Sequence, residues 1–215
     1  MKAQFSPLPR EFYQRDPVVV AQELLGKLLV RRDDEGVRSG VIVETEAYLA
    51  GDDPAAHAYR GVTERNRVLF GPAGHAYVYF IYGVYFCLNF SCLEEGEAGC
   101  VLIRALEPVD GILHMERARR LKDVRHLTTG PGKLCRAFEI TRERDNGKDL
   151  CSLKSDLLVT HAPAANPFEL GITPRIGINT KNEALDWPLR FVIKGSPYLS
   201  KRFREQETPP LVPGL

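Results

Sequence analysis

Residues 76–92 read AYVYFIYGVYFCLNFSC. Aromatic and β-branched side chains dominate the run, as they do on half-buried pleated surfaces. Gly83 sits in its middle, where the chain needs a residue that tolerates a tight reversal. The stretch therefore predicts two antiparallel strands with a turn at Tyr82-Gly83. Upstream, LLVRR (28–32) and GVIVETEAYL (40–49) flank the turn DDEG (33–36) and predict a second hairpin. Downstream, the acidic loop LEEGEAG (93–99) leads into CVLIRALEP (100–108), another strand.

Helices are segregated from these strands. Asp16-Pro17 is an N-cap followed by proline at the first helical position, and VVVAQELLG then runs with helical apolar spacing to Gly26. DGILHMERARRL (110–121) predicts a helix with a basic face, and TGPGKLCRAFEI (129–140) a second one. Residues 51–75 predict mostly loop, with a short helix at Pro54–His57. RIGI (175–178), LRFVIKG (189–195) and SPYLS (196–200) predict short C-terminal strands, and 205–215 a loose tail. The βαβα alternation of a doubly wound fold is absent. The expected class is α+β: one domain over 1–215, a curved, mainly antiparallel sheet with helices packed around it, and a protruding β-hairpin.

Composition narrows the function. The chain has 215 residues, 44% hydrophobic and 27% charged, with 29 Lys+Arg against 28 Asp+Glu. A formal net charge of +1 excludes nucleic-acid binding by bulk charge but permits a local basic face. Acidic residues gather in DDEG and LEEGEAG, whereas 104–144 and 190–204 carry a basic excess. No apolar run approaches the ~20 residues of a membrane span, and no apolar signal segment is visible at the N-terminus. Five cysteines without a C-x-x-C pair predict free thiols in a reducing cytoplasm. The five histidines form no zinc pattern, so no metal is expected.

Several residues could carry chemistry. Alternation in a strand puts Glu44, Glu46 and Tyr48 on one face. Two glutamates there are costly unless solvated, paired or functional; a polar outer face is the plain alternative. Tyr77 and Tyr79 share a face and could be simple core. Tyr82, at a hairpin tip, is harder to assign to a core and suits insertion into a base stack. His57 could be a surface histidine. Arg65 and Arg67 could touch phosphate or merely be solvated. Arg104 interrupts an apolar strand and must be paired or face a cleft. Gly130, Gly132 and Lys133 form a helix mouth that could hold an anion, although the spacing is not that of a nucleotide-hydrolase loop.

Taken in order, VETEAY, AAH, ERNR, YVYFIYG, CLN, VLIRALEP and GPGKLC resemble the alkyladenine (methylpurine, 3-methyladenine) DNA glycosylase family, from about Leu24 to the strands near 190–200. The resemblance implies a monofunctional repair enzyme that flips a damaged purine from duplex DNA and hydrolyses its N-glycosidic bond, with no cofactor. By the same resemblance Glu46 is the general base and Arg104 helps hold the attacking water. Tyr48, His57 and Tyr79 wall the base pocket, Tyr82 wedges into the gap, and Asn89 clashes with the amine of normal guanine. Double-stranded DNA with damaged purines is the implied partner, and a minimal, bacterial-type, cytoplasmic monomer is expected. Two other classes remain open: a non-catalytic binder that stacks bases on the same tyrosines, and a saccharide hydrolase using Glu44 and Glu46 as its acid/base pair.

Overall fold

The computed structural model describes residues 5–51, 53–163, 167–178 and 183–204; the tail expected at 205–215 lies outside them. Two short N-terminal helices, α1 (Arg10–Tyr13) and α2 (Pro17–Leu24), precede β1 (Lys27–Asp33) and β2 (Gly36–Tyr48). Next come β3 (Ala76–Ile81), β4 (Tyr85–Cys92) and β5 (Gly99–Asp110). Helices α3 (Ile112–Arg119), α4 (Pro131–Ala137) and α5 (Arg142–Asp145) follow. The last strands are β6 (Leu157–His161), β7 (Leu170–Thr173) and β8 (Arg190–Ile193).

The strands form one antiparallel sheet in the order β3-β4-β5-β2-β1-β6, with β8 pairing both β2 and β7. β2 is the organising strand. One of its edges runs along β5; the other is divided between β1, as far as Val41, and β8, from Glu44 to Glu46. The β2–β5 register shifts between Ile42 and Thr45. Such a bulge twists a strand and re-aims its side chains, and here it falls immediately before Glu46.

Local chemistry explains the elements. The Asp16 side chain accepts from the Val18 amide at 2.7 Å, so the cap fixes the start of α2, and Gly26 leaves it with φ +78°. Val20, Ala21 and Leu24 bury one face of α2. Thr45 donates its hydroxyl to the Ala21 carbonyl at 2.8 Å, which ties that helix to β2 beside Glu46. On the same core, Leu134 and Phe138 of α4 and its exit pack with Phe90 of β4 and Ile103 of β5, all essentially inaccessible. At ~1.5–3 kcal/mol for each large apolar side chain buried, this layer is the main stabilising term.

The β3–β4 hairpin forms as expected. Val84 N–H reaches the Ile81 carbonyl at 3.3 Å, and Tyr82 and Gly83 both have positive φ, +52° and +70°. That is a type I′ turn, whose twist matches its strands. Tyrosine in a left-handed conformation costs about 1–2 kcal/mol, so this turn holds an aromatic where glycine or asparagine would be relaxed.

Three expected elements are not formed. Residues 54–57 make successive turns rather than a helix, because the Asp53 carboxylate accepts from the Leu49 and Ala55 amides and folds the chain back on itself. RIGI and SPYLS are not strands. The Ile176 amide donates to the Glu46 carboxylate at 2.6 Å and the Ser200 amide to Glu44 at 2.6 Å, so these donors serve buried charges instead of a ladder. The strand expected at RIGI lies just upstream, as β7. The strand LRFVIKG is present as β8. α1, α5 and β6 had no counterpart in the expectation.

All five cysteines are free; four are buried and Cys151 is partly so. Among the described residues no helix is long and apolar enough to cross a membrane.

Candidate active site

β2 delivers Glu44, Glu46 and Tyr48 to one face, as alternation requires. Both glutamates are fully buried, which replaces the solvated alternative with a paired one. Arg104, from the adjacent strand β5, donates through Nε to Glu44 at 2.9 Å and through Nη1 to Glu46 at 3.2 Å. Burial opposes its charge, yet the carboxylates of Glu46 and Glu44 hold it firmly protonated.

The two glutamates differ in how they are held. Glu44 accepts from Arg104, from Arg190 Nε at 2.8 Å, and from the amide and hydroxyl of Ser200 at 2.6 and 2.7 Å. Burial works against its ionisation, but the Arg104 and Arg190 guanidiniums and Ser200 outweigh that and hold its carboxyl below the usual range. Four donors converge on Glu44, three of them on Oε1 and the Ser200 amide on Oε2, and two of the donors are guanidiniums. It is a structural anion, unsuited to the acid/base pair of a saccharide hydrolase. Glu46 accepts three hydrogen bonds: Tyr48 hydroxyl (3.0 Å) and Arg104 on Oε2, and the Ile176 amide on Oε1. Among the described residues, Ile176 is the one donor to Oε1.

Two cavities meet above this group. The first, about 360 Å³, is lined by Tyr48, His57, Tyr77, Tyr79, Tyr82 and Asn89 among others. The second, about 420 Å³, shares Tyr48, Tyr79 and Tyr82 and continues past Arg104 to Arg119, Gly130, Gly132 and Lys133. Glu46 lines neither cavity; Tyr48, Arg104 and Ile176, which hold it, all line the second. The carboxylate therefore lies behind the seam.

The first cavity is an aromatic slot. His57 and Tyr79 meet edge to face with centroids 4.5 Å apart, and Tyr77 and Tyr79 are 5.5 Å apart. His57 Nδ1 lies 3.0 Å from the Tyr77 hydroxyl. His57 is exposed on the cavity side, while burial on its other faces, with Arg65 adding, pushes its pKa down to about 4; the imidazole is neutral at physiological pH. Burial also keeps the Tyr48 and Tyr79 hydroxyls protonated and raises Tyr77 to about 12. Asn89 is buried and fixed by donation to the Tyr77 carbonyl at 3.1 Å.

Tyr82 stands at the rim of both cavities and is 77% exposed. Gly132 is close to the same hairpin: a Cβ there would fall 2.7 Å from the Tyr85 ring, so only glycine lets α4 approach. Lys133 lies 3.4 Å from the Thr129 hydroxyl. Arg65 caps the Tyr79 ring at 5.5 Å. Arg67 pairs with Glu64 on the exposed face and, like Arg65, lines neither cavity. The acidic loop LEEGEAG follows the end of β4 remote from the hairpin tip, and its Ala98 is buried in the cluster that holds Tyr77.

The methylpurine-DNA glycosylase family model matches residues 11–197. The chain belongs to that family. It is accordingly a DNA glycosylase, a hydrolase of N-glycosyl bonds, and DNA is its substrate. A protein of Koribacter versatilis named "Putative 3-methyladenine DNA glycosylase" is 52% identical over 204 residues, covering 94% of this chain and 97% of that relative. Proteins of the same name from Methanoculleus marisnigri and Clostridium acetobutylicum are 52% and 47% identical, covering 91% and 90% of this chain and 99% and 97% of their own length.

Within this family site, sequence reasoning missed four participants. Tyr77 anchors His57 and Asn89. Arg190 and Ser200 clamp Glu44, and Arg175 pairs with Asp53 behind Tyr48. The arginine within LRFVIKG carried the same signal that singled out Arg104, a charge in an apolar strand. Nothing local marks Arg175 or Ser200, because their partners are 122 and 156 residues away.

Proposed function

We propose that the chain removes alkylated or deaminated purines of the 3-methyladenine, 7-methylguanine, hypoxanthine and etheno-adenine class from duplex DNA. The observation that carries this reading is the seam of the two cavities, with Glu46 and Arg104 behind it and Tyr82 on its rim. A flipped base enters the slot of Tyr48, His57 and Tyr79, and its sugar comes to lie over the seam. Rings carrying positive charge, as ring-alkylated purines do, gain about 0.5–2 kcal/mol on such aromatic faces. Asn89 excludes guanine by its bulk against the exocyclic amine. Tyr82 occupies the gap, offsetting part of an unstacking cost of a few kcal/mol.

Cleavage of the N-glycosidic bond develops positive charge on the sugar. Glu46 takes a proton from the attacking water and stabilises that charge; Arg104 holds the carboxylate and the water in place. The products are the free base and an abasic site. Lys133 is the lysine lining the catalytic side of the cleft, but the glutamate-activated water needs no amine nucleophile, so the reading is monofunctional. Arg65, Gly130, Gly132 and Lys133 are the candidate phosphate contacts. Arg67 joins them only by exchanging its surface partner Glu64, a pairing worth about 0–1 kcal/mol. The reading describes a monomer acting in the cytoplasm of a bacterial-type cell.

A base-release panel over the four lesions tests the substrate class. Glu46→Gln is expected to abolish release while still binding lesion duplex, and borohydride is expected to trap no covalent enzyme–DNA adduct. Release by Glu46→Gln at the wild-type rate would overturn the glutamate mechanism; a trapped adduct would overturn the monofunctional one.

A further inference from the structure

Arg175 touches neither cavity, yet its contacts reach both halves of the site. Its side chain is inaccessible. It forks onto Asp53, Nη1 to Oδ2 at 2.5 Å and Nη2 to Oδ1 at 2.9 Å, and Nη1 also donates to the Ala47 carbonyl at 3.1 Å. Its guanidinium plane backs the Tyr48 ring at 4.7 Å. Asp53 in turn accepts from the Leu49 and Ala55 amides at 3.1 and 3.0 Å, so it joins the end of β2 to the turns that carry Pro54, Ala55 and His57 into the base slot. The next residue along, Ile176, gives its amide to Glu46.

We infer that Arg175 is a positioning residue for base excision: its bidentate pair with Asp53 sets the Tyr48–His57 wall of the slot and, through the following peptide, the orientation of the Glu46 carboxylate. This rests on the proposed excision mechanism. Ala47 and Tyr48 are the two residues that follow Glu46 on β2, and Arg175 grips both. Ile176 N–H restrains the rotation of the Glu46 carboxylate by holding Oε1. A fork that makes two parallel bonds to a carboxylate fixes angle as well as distance, which a lysine at the same place cannot do. Reaction rates are sensitive to that: a displacement of ~1 Å away from the chemistry can cost about a hundredfold.

Deleting either partner alone leaves a bare buried charge, so loss of folding is the expected confound. The informative variants are Arg175→Lys, which keeps the charge and loses the fork, and the pair Arg175→Gln with Asp53→Asn, which keeps hydrogen-bonding groups and leaves no lone charge. Each is measured beside wild type and Glu46→Gln under single-turnover conditions with enzyme in excess, on whichever lesion of the panel the wild type releases fastest. The expected result is a rate constant reduced about ten- to a hundredfold, lesion-duplex affinity within about threefold, and both variants slowed alike. A merely structural role lowers the reaction amplitude and Tm but leaves the rate constant of the folded fraction at the wild-type value, and that result would overturn the inference. A wild type that releases bases while Glu46→Gln does not keeps the excision mechanism whichever way Arg175 falls. A wild type inactive on every lesion overturns both.

Discussion

Two buried ion networks hang on the same hairpin, and only one of them lies behind the cleft. At the β1 end, Arg31 is fully buried and pairs with Asp145 at 2.8 Å and Asp156 at 3.1 Å; Lys148 and Arg144 reach the same acids. Arg38 of β2 bridges Asp33 and Glu139. This cluster fastens α5 and the following loop to the sheet, and Arg31 and Asp145 line neither cleft cavity. At the far end of β2, Glu44, Arg104, Arg190 and Glu46 form the second network. Both are built on buried, paired arginines, although Asp156 and Glu139 of the first are partly exposed. The difference is that the second network lies behind an open cleft, with Arg104 lining it and, among the described residues, a single donor on Glu46 Oε1. Buried charge alone therefore does not mark a site; buried charge behind a cavity does.

The sharpest way to break that contrast is a pair of variants. Glu46→Gln should lower the single-turnover excision rate by at least about 10²–10⁴-fold, with little change in Tm because Arg104 keeps Glu44. Asp145→Asn should do the reverse. It strips one of two carboxylates from fully buried Arg31, which keeps only the partly exposed Asp156, and should cost about 1–3 kcal/mol in denaturant unfolding, while the rate constant of the folded enzyme stays at wild type. If Asp145→Asn slowed the chemistry as well, the two networks would not be separable.

A smaller effect is expected at the rim. Tyr82→Ala removes the side chain that fills the vacated stack and should reduce excision roughly tenfold, about 1.4 kcal/mol out of an unstacking cost of a few. The same substitution leaves Ala at positive φ, whereas Tyr82→Gly relaxes the turn. Tm should therefore rise slightly from Ala to Gly while both remain slow, which separates the wedge from the turn.

The smallest effects are read by pH. Asp156 is held at about 2: burial raises it, and Lys148, Arg31 and Arg144 more than reverse that. A depressed carboxyl contributes stability that is present above its unfolded value near 3.8 and is lost as pH falls towards 2. Urea unfolding should therefore weaken from about pH 4 downwards, and Asp156→Asn should flatten that window. At the other end of the molecule, NMR titration of His57 should find a midpoint near 4, with no His57 limb in the excision profile between pH 5 and 8. A midpoint near 6.5 would mean the slot is wetter than its aromatic walls imply.

How much of this was legible follows the range of the signals. The β3–β4 hairpin was readable because a turn glycine, a period of two and β-rich composition are all local. Glu46 and Arg104 were readable as anomalies, charges in apolar strands, and family resemblance gave them roles. The turns at 54–57 were read as a helix because capping logic stops at neighbouring residues; Asp53 instead answers to Arg175, 122 positions away. RIGI and SPYLS look like strands by composition, yet their amides are claimed by Glu46 and Glu44, which no local pattern discloses.

By itself, then, the sequence determined the alternation that puts Glu44, Glu46 and Tyr48 on one face, the hairpin that lifts Tyr82 out, and the family to which these motifs belong. It did so because side-chain direction in a strand and backbone freedom in a turn depend on adjacent residues. Only the tertiary structure decided which glutamate is clamped by two arginines and which by one. That choice depends on the donors Arg104, Arg190, Ser200 and Ile176, groups that meet only when β5, β8 and the C-terminal loops close on β2.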